Sequence, residues 1–282
     1  MDKTKLVDSV ANTFAELCKE KLGERLESLY TTGSYVFNKI SLDRPDINFL
    51  LIFKGRSTPD DYLKHGDVCH QIINQFKEEC SIRIEFRPFR YLYPKVRKDY
   101  DVFLNPILIS LDEIKERGYI FTKTFTEGLK SANKLLYGND VLSTIKVGEI
   151  TTQDLFQGAM FDLPFFMIPL TRAPAQYDES DTDLLFNEAL VNGKMLTYLG
   201  MELVLTEEEL RNKAFIKYIQ NKEAIVSLYK ERYGEHIGSL VSKIYEAREN
   251  YLKYKKDPEK AREIFSATLQ IGGAIQYKLF SR

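Results

Sequence analysis

Gly33 and Ser34 close a compact polar turn, Thr31-Thr32-Gly33-Ser34, and after an eleven-residue spacer Asp46 and Asn48 open the run Asp-Ile-Asn-Phe-Leu-Leu-Ile-Phe. Side chains alternate along a strand, so Asp46 and Asn48 share a face. An asparagine inside so apolar a run needs a hydrogen-bonding partner. The alternating segment Ser81–Phe86 offers Ile82, Ile84 and Phe86 to one side and Arg83, Glu85 and the following Arg87 to the other. These groups suit hydrogen bonding and oxygen chemistry. Cys18, Cys69 and Cys80 form no CxxC pair, and His65, His70 and His236 are scattered, which excludes a structural zinc framework. His65 and His70 are five apart on a predicted helix and do not share a face cleanly, while neighbours Cys69 and His70 diverge by about 100°. All three cysteines are therefore expected to be buried and inert.

The Gly33-Ser34 turn, the spacer, and Asp46-Ile-Asn48-Phe on a strand together resemble the signature of the nucleotidyltransferase superfamily, the polymerase-beta-like fold. The resemblance implies an α+β fold in which a Gly-Ser turn approaches the phosphates of a nucleoside triphosphate closely and donates to their oxygens. It implies further that two carboxylates at i and i+2 hold Mg2+, or Mn2+ in its place, between triphosphate and attacking hydroxyl. A third acid on an adjacent strand completes such a cluster.

Carried over residue by residue, Gly33 and Ser34 are the phosphate turn, Asp46 is the first metal carboxylate, and Asn48 stands where the second is usual. Glu85 is the choice for third acid, with Asp101 the fallback, and Arg83 and Arg87 are nucleotide contacts. Asn48 is the departure: its carbonyl oxygen can reach a metal but brings no charge to hold two cations together. Two functions follow. One is Mg-dependent transfer of a nucleoside monophosphate from an NTP to an unidentified acceptor, weakened by Asn48. The other is an inactive module of the same fold that binds nucleotide, nucleic acid or a protein partner. Each residue also has an ordinary structural use: Gly33-Ser34 as a turn and helix cap, Asp46 as a solvent-facing strand start, Glu85 as one rung of a surface charge ladder.

The elements that must position these residues read as follows. Residues 5–27 space Leu6, Val7, Val10, Phe14, Leu17 and Leu22 as an amphipathic helix. Residues 46–54 form a central strand, 60–79 a helix and 81–86 a strand, with short strand candidates at 102–104 and 107–109 and a short helix at 111–116. After Gly118 the period becomes helical: 121–136, 151–160, 184–199, 207–233, 236–254 and 258–280, the last five expected as antiparallel neighbours. This gives an α+β domain over 1–118 and an all-helical domain over 119–282, the boundary falling between 110 and 150. Asn133-Lys-Leu-Leu-Tyr137-Gly138 is similar to a stretch found at the end of the superfamily's catalytic domain. The apolar run 161–170, broken by Pro164 and Pro169, is expected to pack in a core or line a seam.

The 282 residues are 44% apolar and 29% charged, enough for a large core without disulfides. Their 40 basic and 41 acidic side chains give no overall field for nucleic acid, so a polyanion partner would need a local patch. Two patches stand out. Residues 83–98 hold six basic side chains against the single acid Glu85, interleaved with aromatics that can stack on bases; residues 244–256 alternate tyrosine with lysine and arginine. No long apolar stretch appears, and the expectation is a soluble, cytoplasmic protein with no membrane partner.

Overall fold

The computed structural model describes residues 2–86, 90–92, 101–176 and 182–281. The chain divides into two compact units, 1–147 and 148–282.

The first unit contains α1 (Lys3–Leu22), β1 (Leu26–Thr32), a 3-10 turn (Gly33–Tyr35), β2 (Asp46–Phe53), α2 (Pro59–Gln75), β3 (Ser81–Phe86), β4 (Arg90–Leu92) and β5 (Asp101–Ser110). It continues with α3 (Leu111–Arg117), α4 (Lys123–Ser131), β6 (Asn133–Gly138) and α5 (Val141–Thr144). The six strands form one sheet in the order β4-β3-β5-β2-β1-β6. β5 runs parallel to both β2 and β3, while β1 is antiparallel to β2 and β6, and β4 to β3.

Local signals explain where the helices begin. Thr58 and Asp61 form a reciprocal capping box at the start of α2, with Pro59 in its first turn, and Ser110 and Glu113 do the same for α3. Gly118, at φ +76°, ends α3 in the left-handed region that glycine enters without strain.

The sheet is covered differently on its two faces. Phe49, Leu51 and Phe53 of β2 point with Leu29, Val102, Leu104, Ile82 and Ile84 into a large core closed by the apolar stripes of α1 and α2. On the opposite face Tyr30, Leu50, Ile52, Ile107 and Ile109 pack under Ile114, Leu129, Val141 and Leu142. That second core covers only part of its face. Toward the start of β2 the same face turns polar.

Three sequence expectations change here. The helix expected over 121–136 is α4 followed by β6, which pairs with β1 from Asn133 to Gly138. The first compact unit runs to Val147 and includes β6. The two short strand candidates at 102–104 and 107–109 are the single strand β5. Pro106 is tolerated there because β5 pairs with β3 only through Leu104, so one edge of the strand demands no N–H at that point.

The second unit is helical: α6 (Thr152–Arg172), a 3-10 turn (Ala173–Gln176), α7 (Asp183–Leu203), α8 (Glu207–Arg211), α9 (Ala214–Gln220), α10 (Lys222–Tyr233), α11 (Glu235–Glu249), α12 (Tyr251–Tyr254) and α13 (Pro258–Phe280). α6 passes through Pro164 and Pro169 instead of stopping at Met160. Its buried stripe, Leu155, Ala159, Leu163, Phe166 and Leu170, lies off both prolines, so the packed face is kept where the ladder loses N–H groups. The expected helix over 207–233 is three pieces, broken at Lys213, which takes φ +51°, and at the Asn221 cap of α10. In the 244–256 run Tyr251 is buried and donates to Asp183 Oδ1 at 2.7 Å, while Lys253 and Lys260 lie against the Tyr254 ring. Those aromatics close the helical unit. Among the described residues no helix is long and apolar enough to cross a membrane.

Candidate functional site

The polar end of the sheet is built by strand register. Asn48 of β2 stands opposite Thr32 of β1 on one side and Asn105 of β5 on the other. One step along, Asp46 pairs with Phe103, which in turn faces Arg83 of β3, and Asp101 stands beside Ser81. Because paired residues point the same way, Asp46, Asn48, Phe103, Asn105, Arg83 and Asp101 gather on one face.

Gly33 follows Thr32 directly and takes φ +76°, a conformation that bends the chain over the end of β2. Its N–H is spent on Ala132 O at 2.9 Å. A Cβ added at Gly33 would lie 3.2 Å from Asn48 Nδ2, so the turn and the amide are in close contact, and the positive φ favours glycine there. Gly33, Ser34, Asp46 and Asn48 are all partly exposed, which leaves this corner open to solvent.

Asn48 finds its partner across the strand: Asn105 Nδ2 donates to Asn48 Oδ1 at 2.9 Å. Asn105 itself is only 1% exposed, and its own Oδ1 is buried without a hydrogen bond. The bond fixes the orientation of Asn48. With the oxygen turned to β5, the amide nitrogen is the atom presented to Gly33.

Two arginines beneath this corner are almost entirely buried. Arg44 lies over the Phe103 ring, Cζ 3.9 Å from its centroid, with Nη1 3.7 Å from Asp46 Oδ2. Arg83 approaches the same ring at 5.5 Å and pairs with Asp101 at 3.0 Å, both side chains within 1% of full burial. Phe103 thus separates two guanidinium–carboxylate pairs whose formal charges cancel.

The sequence-named residues are therefore placed unevenly. Gly33, Ser34, Asp46 and Asn48 converge. Arg83 has the right face, but it is buried and its charge is met by Asp101. Glu85 lies on β3, which is separated from β2 by β5, so its strand is not the neighbour of the Asp46 strand; its side chain lies outside the described residues. Arg87 and most of the 83–98 patch also lie outside them. The adjacent strand is that of the fallback Asp101, and directly beside Asp46 and Asn48 it carries Phe103 and Asn105. Asn105 and Arg44 were missed by sequence reading. The signal for Asn105 was the same as for Asn48, a polar residue in an apolar strand, masked by the following Pro106.

The donor set bears on the metal pair that the sequence resemblance implies. Among the described residues no three His, Cys, Asp or Glu side chains lie close enough to hold a metal ion. Asp46 is the described carboxylate on β2 beside the turn, and Arg44 stands against it. Asn48 turns a hydrogen-bond donor, which cannot ligate a cation, toward Gly33. Asp46 and Asn48 by themselves do not supply a two-metal centre, which needs anionic oxygens on both ions.

The other expected chemistry is also settled by burial. His65 and Cys69 stand one helical turn apart on α2, with both ring nitrogens 3.6–3.8 Å from Sγ. The pair resembles a nucleophile and base, yet burial pushes the Cys69 thiol up to about 12 and the His65 imidazole down to about 4. Both stay neutral and inert. An acid liability follows. The unfolded imidazole takes a proton below about 6.5 while the folded one does not, so stability is whole above that pH and falls toward pH 4. Between pH 7 and pH 5 this residue should cost the protein about 2 kcal/mol. Urea midpoints at the two pH values should show it, and His65→Leu should remove that part of the slope; an unchanged slope in the variant would place the acid sensitivity elsewhere.

No family model matches the chain, and no curated protein matches it in sequence. Among solved structures, the spectinomycin adenyltransferase AAD(9) from Enterococcus faecialis, determined with ATP and spectinomycin, matches with a TM-score of 0.52 at 13% sequence identity. The match covers 96% of this chain and 99% of that one. At that identity the likeness speaks to fold: a mixed α+β sheet domain with flanking helices followed by an all-helical region, the architecture of a nucleotidyltransferase.

Proposed function

We propose that this chain is a nucleotidyltransferase-fold module that holds the phosphates of a nucleoside triphosphate at the Gly33-Ser34 corner and does not itself transfer the nucleotide. The observation that carries this reading is the 2.9 Å bond between Asn105 Nδ2 and Asn48 Oδ1. Transfer chemistry on this fold depends on cations clamped between attacking and leaving oxygens, and those cations depend on clustered carboxylates. Here one carboxamide donates to another at the positions beside Asp46. Binding needs less: a backbone that approaches closely, a hydroxyl and an amide donor, and an open corner, all of which Gly33, Ser34 and Asn48 supply.

The AAD(9) structure contains ATP, which makes ATP the first probe. Titration calorimetry should detect ATP binding to the wild-type protein, weakened several-fold by Ser34→Ala, a change that removes one donor and leaves the backbone alone. Pyrophosphate release from ATP should stay at the level of a protein-free control across a panel of aminoglycoside, nucleotide and RNA acceptors. Release above that control, lost in Asp46→Ala, would instead establish the transfer reaction. Absence of ATP binding would end the nucleotide reading.

A further inference from the structure

We infer that this corner takes its phosphate ligand without a divalent cation, the Asn48–Asn105 carboxamide pair standing where a metal-bridged acid cluster would be. The inference rests on the nucleotide-binding reading above and specifies its charge chemistry.

Three observations lead to it. The first is direction. Asn48 Oδ1 is engaged by Asn105 Nδ2, so the atom lying 3.2 Å from the Cβ position of Gly33 is Nδ2. A donor converging with the turn attracts phosphate oxygen and repels a cation, the reverse of a carboxylate at the same place. The second is neutralisation. Asp46 would repel a phosphate, but Arg44 Nη1 stands 3.7 Å from its Oδ2 and is anchored on Phe103, so its charge is met from within the protein. An ion is not needed to mask it. The third is register. Asn105 lies directly beside Asn48 and is buried to 99%, so a carboxylate there would be costly, whereas the carboxamide both fits and orients its neighbour.

Among the described side chains, the Asp46, Arg44, Asp101 and Arg83 set sums to zero formal charge, so this set neither concentrates cations nor excludes anions. In a carboxylate-lined site, by contrast, a triphosphate is repelled until Mg2+ arrives. Such sites read as metal-dependent; this one should not.

The test compares ATP binding by calorimetry in EDTA and in excess Mg2+, with the full-length protein. Wild type should bind with dissociation constants agreeing within about threefold. Asn48→Asp keeps the shape of the side chain and an oxygen for Asn105 Nδ2, but it turns an anion toward the turn; its affinity in EDTA should fall at least tenfold and recover with Mg2+. Circular dichroism in both buffers confirms that the variant is folded. Tightening of wild-type binding tenfold or more by Mg2+ overturns the inference while leaving nucleotide binding intact. Equal affinity of Asn48→Asp and wild type in EDTA also overturns it, because the side chain then does not meet the phosphate. No binding in either buffer sinks the underlying nucleotide reading instead.

Discussion

Replacing Asp101 by alanine is expected to destabilise the protein by about 3–5 kcal/mol, the largest single-site loss predicted for the sheet. Asp101 and Arg83 face each other at 3.0 Å with side-chain exposures of 0% and 1%. The guanidinium cannot be reached by bulk water where it lies, and one of its neighbours is the Phe103 ring at 5.5 Å. Removing the carboxylate therefore leaves a buried cation whose solvation the protein must replace. Chemical denaturation followed by circular dichroism measures the loss. The pair itself need not be worth so much: desolvating both ions costs nearly what their attraction returns, and Arg83→Met with Asp101→Leu should recover most of the stability. That contrast separates the penalty of a buried charge that has lost its carboxylate from the net value of the bridge. A cost below about 1 kcal/mol for Asp101→Ala would mean that the pair is solvated and behaves as a surface bridge.

The second large effect is a gain. Asn48→Asp combined with Asn105→Asp should create a divalent-cation site that wild type lacks, because the two positions are paired across β2 and β5 and their side chains already touch. Without metal, two carboxylates in such contact cannot both ionise readily; a shift of two to three units on one of them corresponds to about 3–4 kcal/mol of lost stability. Saturation with Mg2+ or Mn2+ at about a hundredfold over the dissociation constant should return about 2.7 kcal/mol. The readout is the denaturation midpoint with and without the ion, so no activity is needed. Wild type should show no shift. Equal shifts in both proteins would place cation binding elsewhere, and a double variant unresponsive to either ion would mean that Asp46 and Arg44 form a pair too firm to open.

These expectations together concern a nucleotidyltransferase-like fold whose polar corner carries a glycine turn, a pair of carboxamides and buried ion pairs. A polar residue in the apolar strand was visible as Asn48 in the sequence. What it meant was not, because an isolated asparagine can offer either its oxygen or its nitrogen. Its partner decides which, and that partner lies fifty-seven residues away.

Much of the rest divides along the same line. The run from Asp46 to Phe53 could only be a covered strand, since its apolar residues leave no exposed face, and Gly33 had to be glycine because the turn over β2 needs φ +76° and space beside Asn48. The helical second half was written in its 3.6-residue period and its capping residues. Periodicity, caps and turn chemistry are short-range properties, and a chain carries them whether or not it is folded. Strand order is different. Nothing local in Asp101–Ser110 says that this late strand enters between β2 and β3 and brings Asn105 to Asn48. Nor does the 133–138 segment announce that it returns to pair with β1. Those placements are chosen by which arrangement buries two faces of one sheet at once, a long-range balance of apolar area that only the assembled structure resolves.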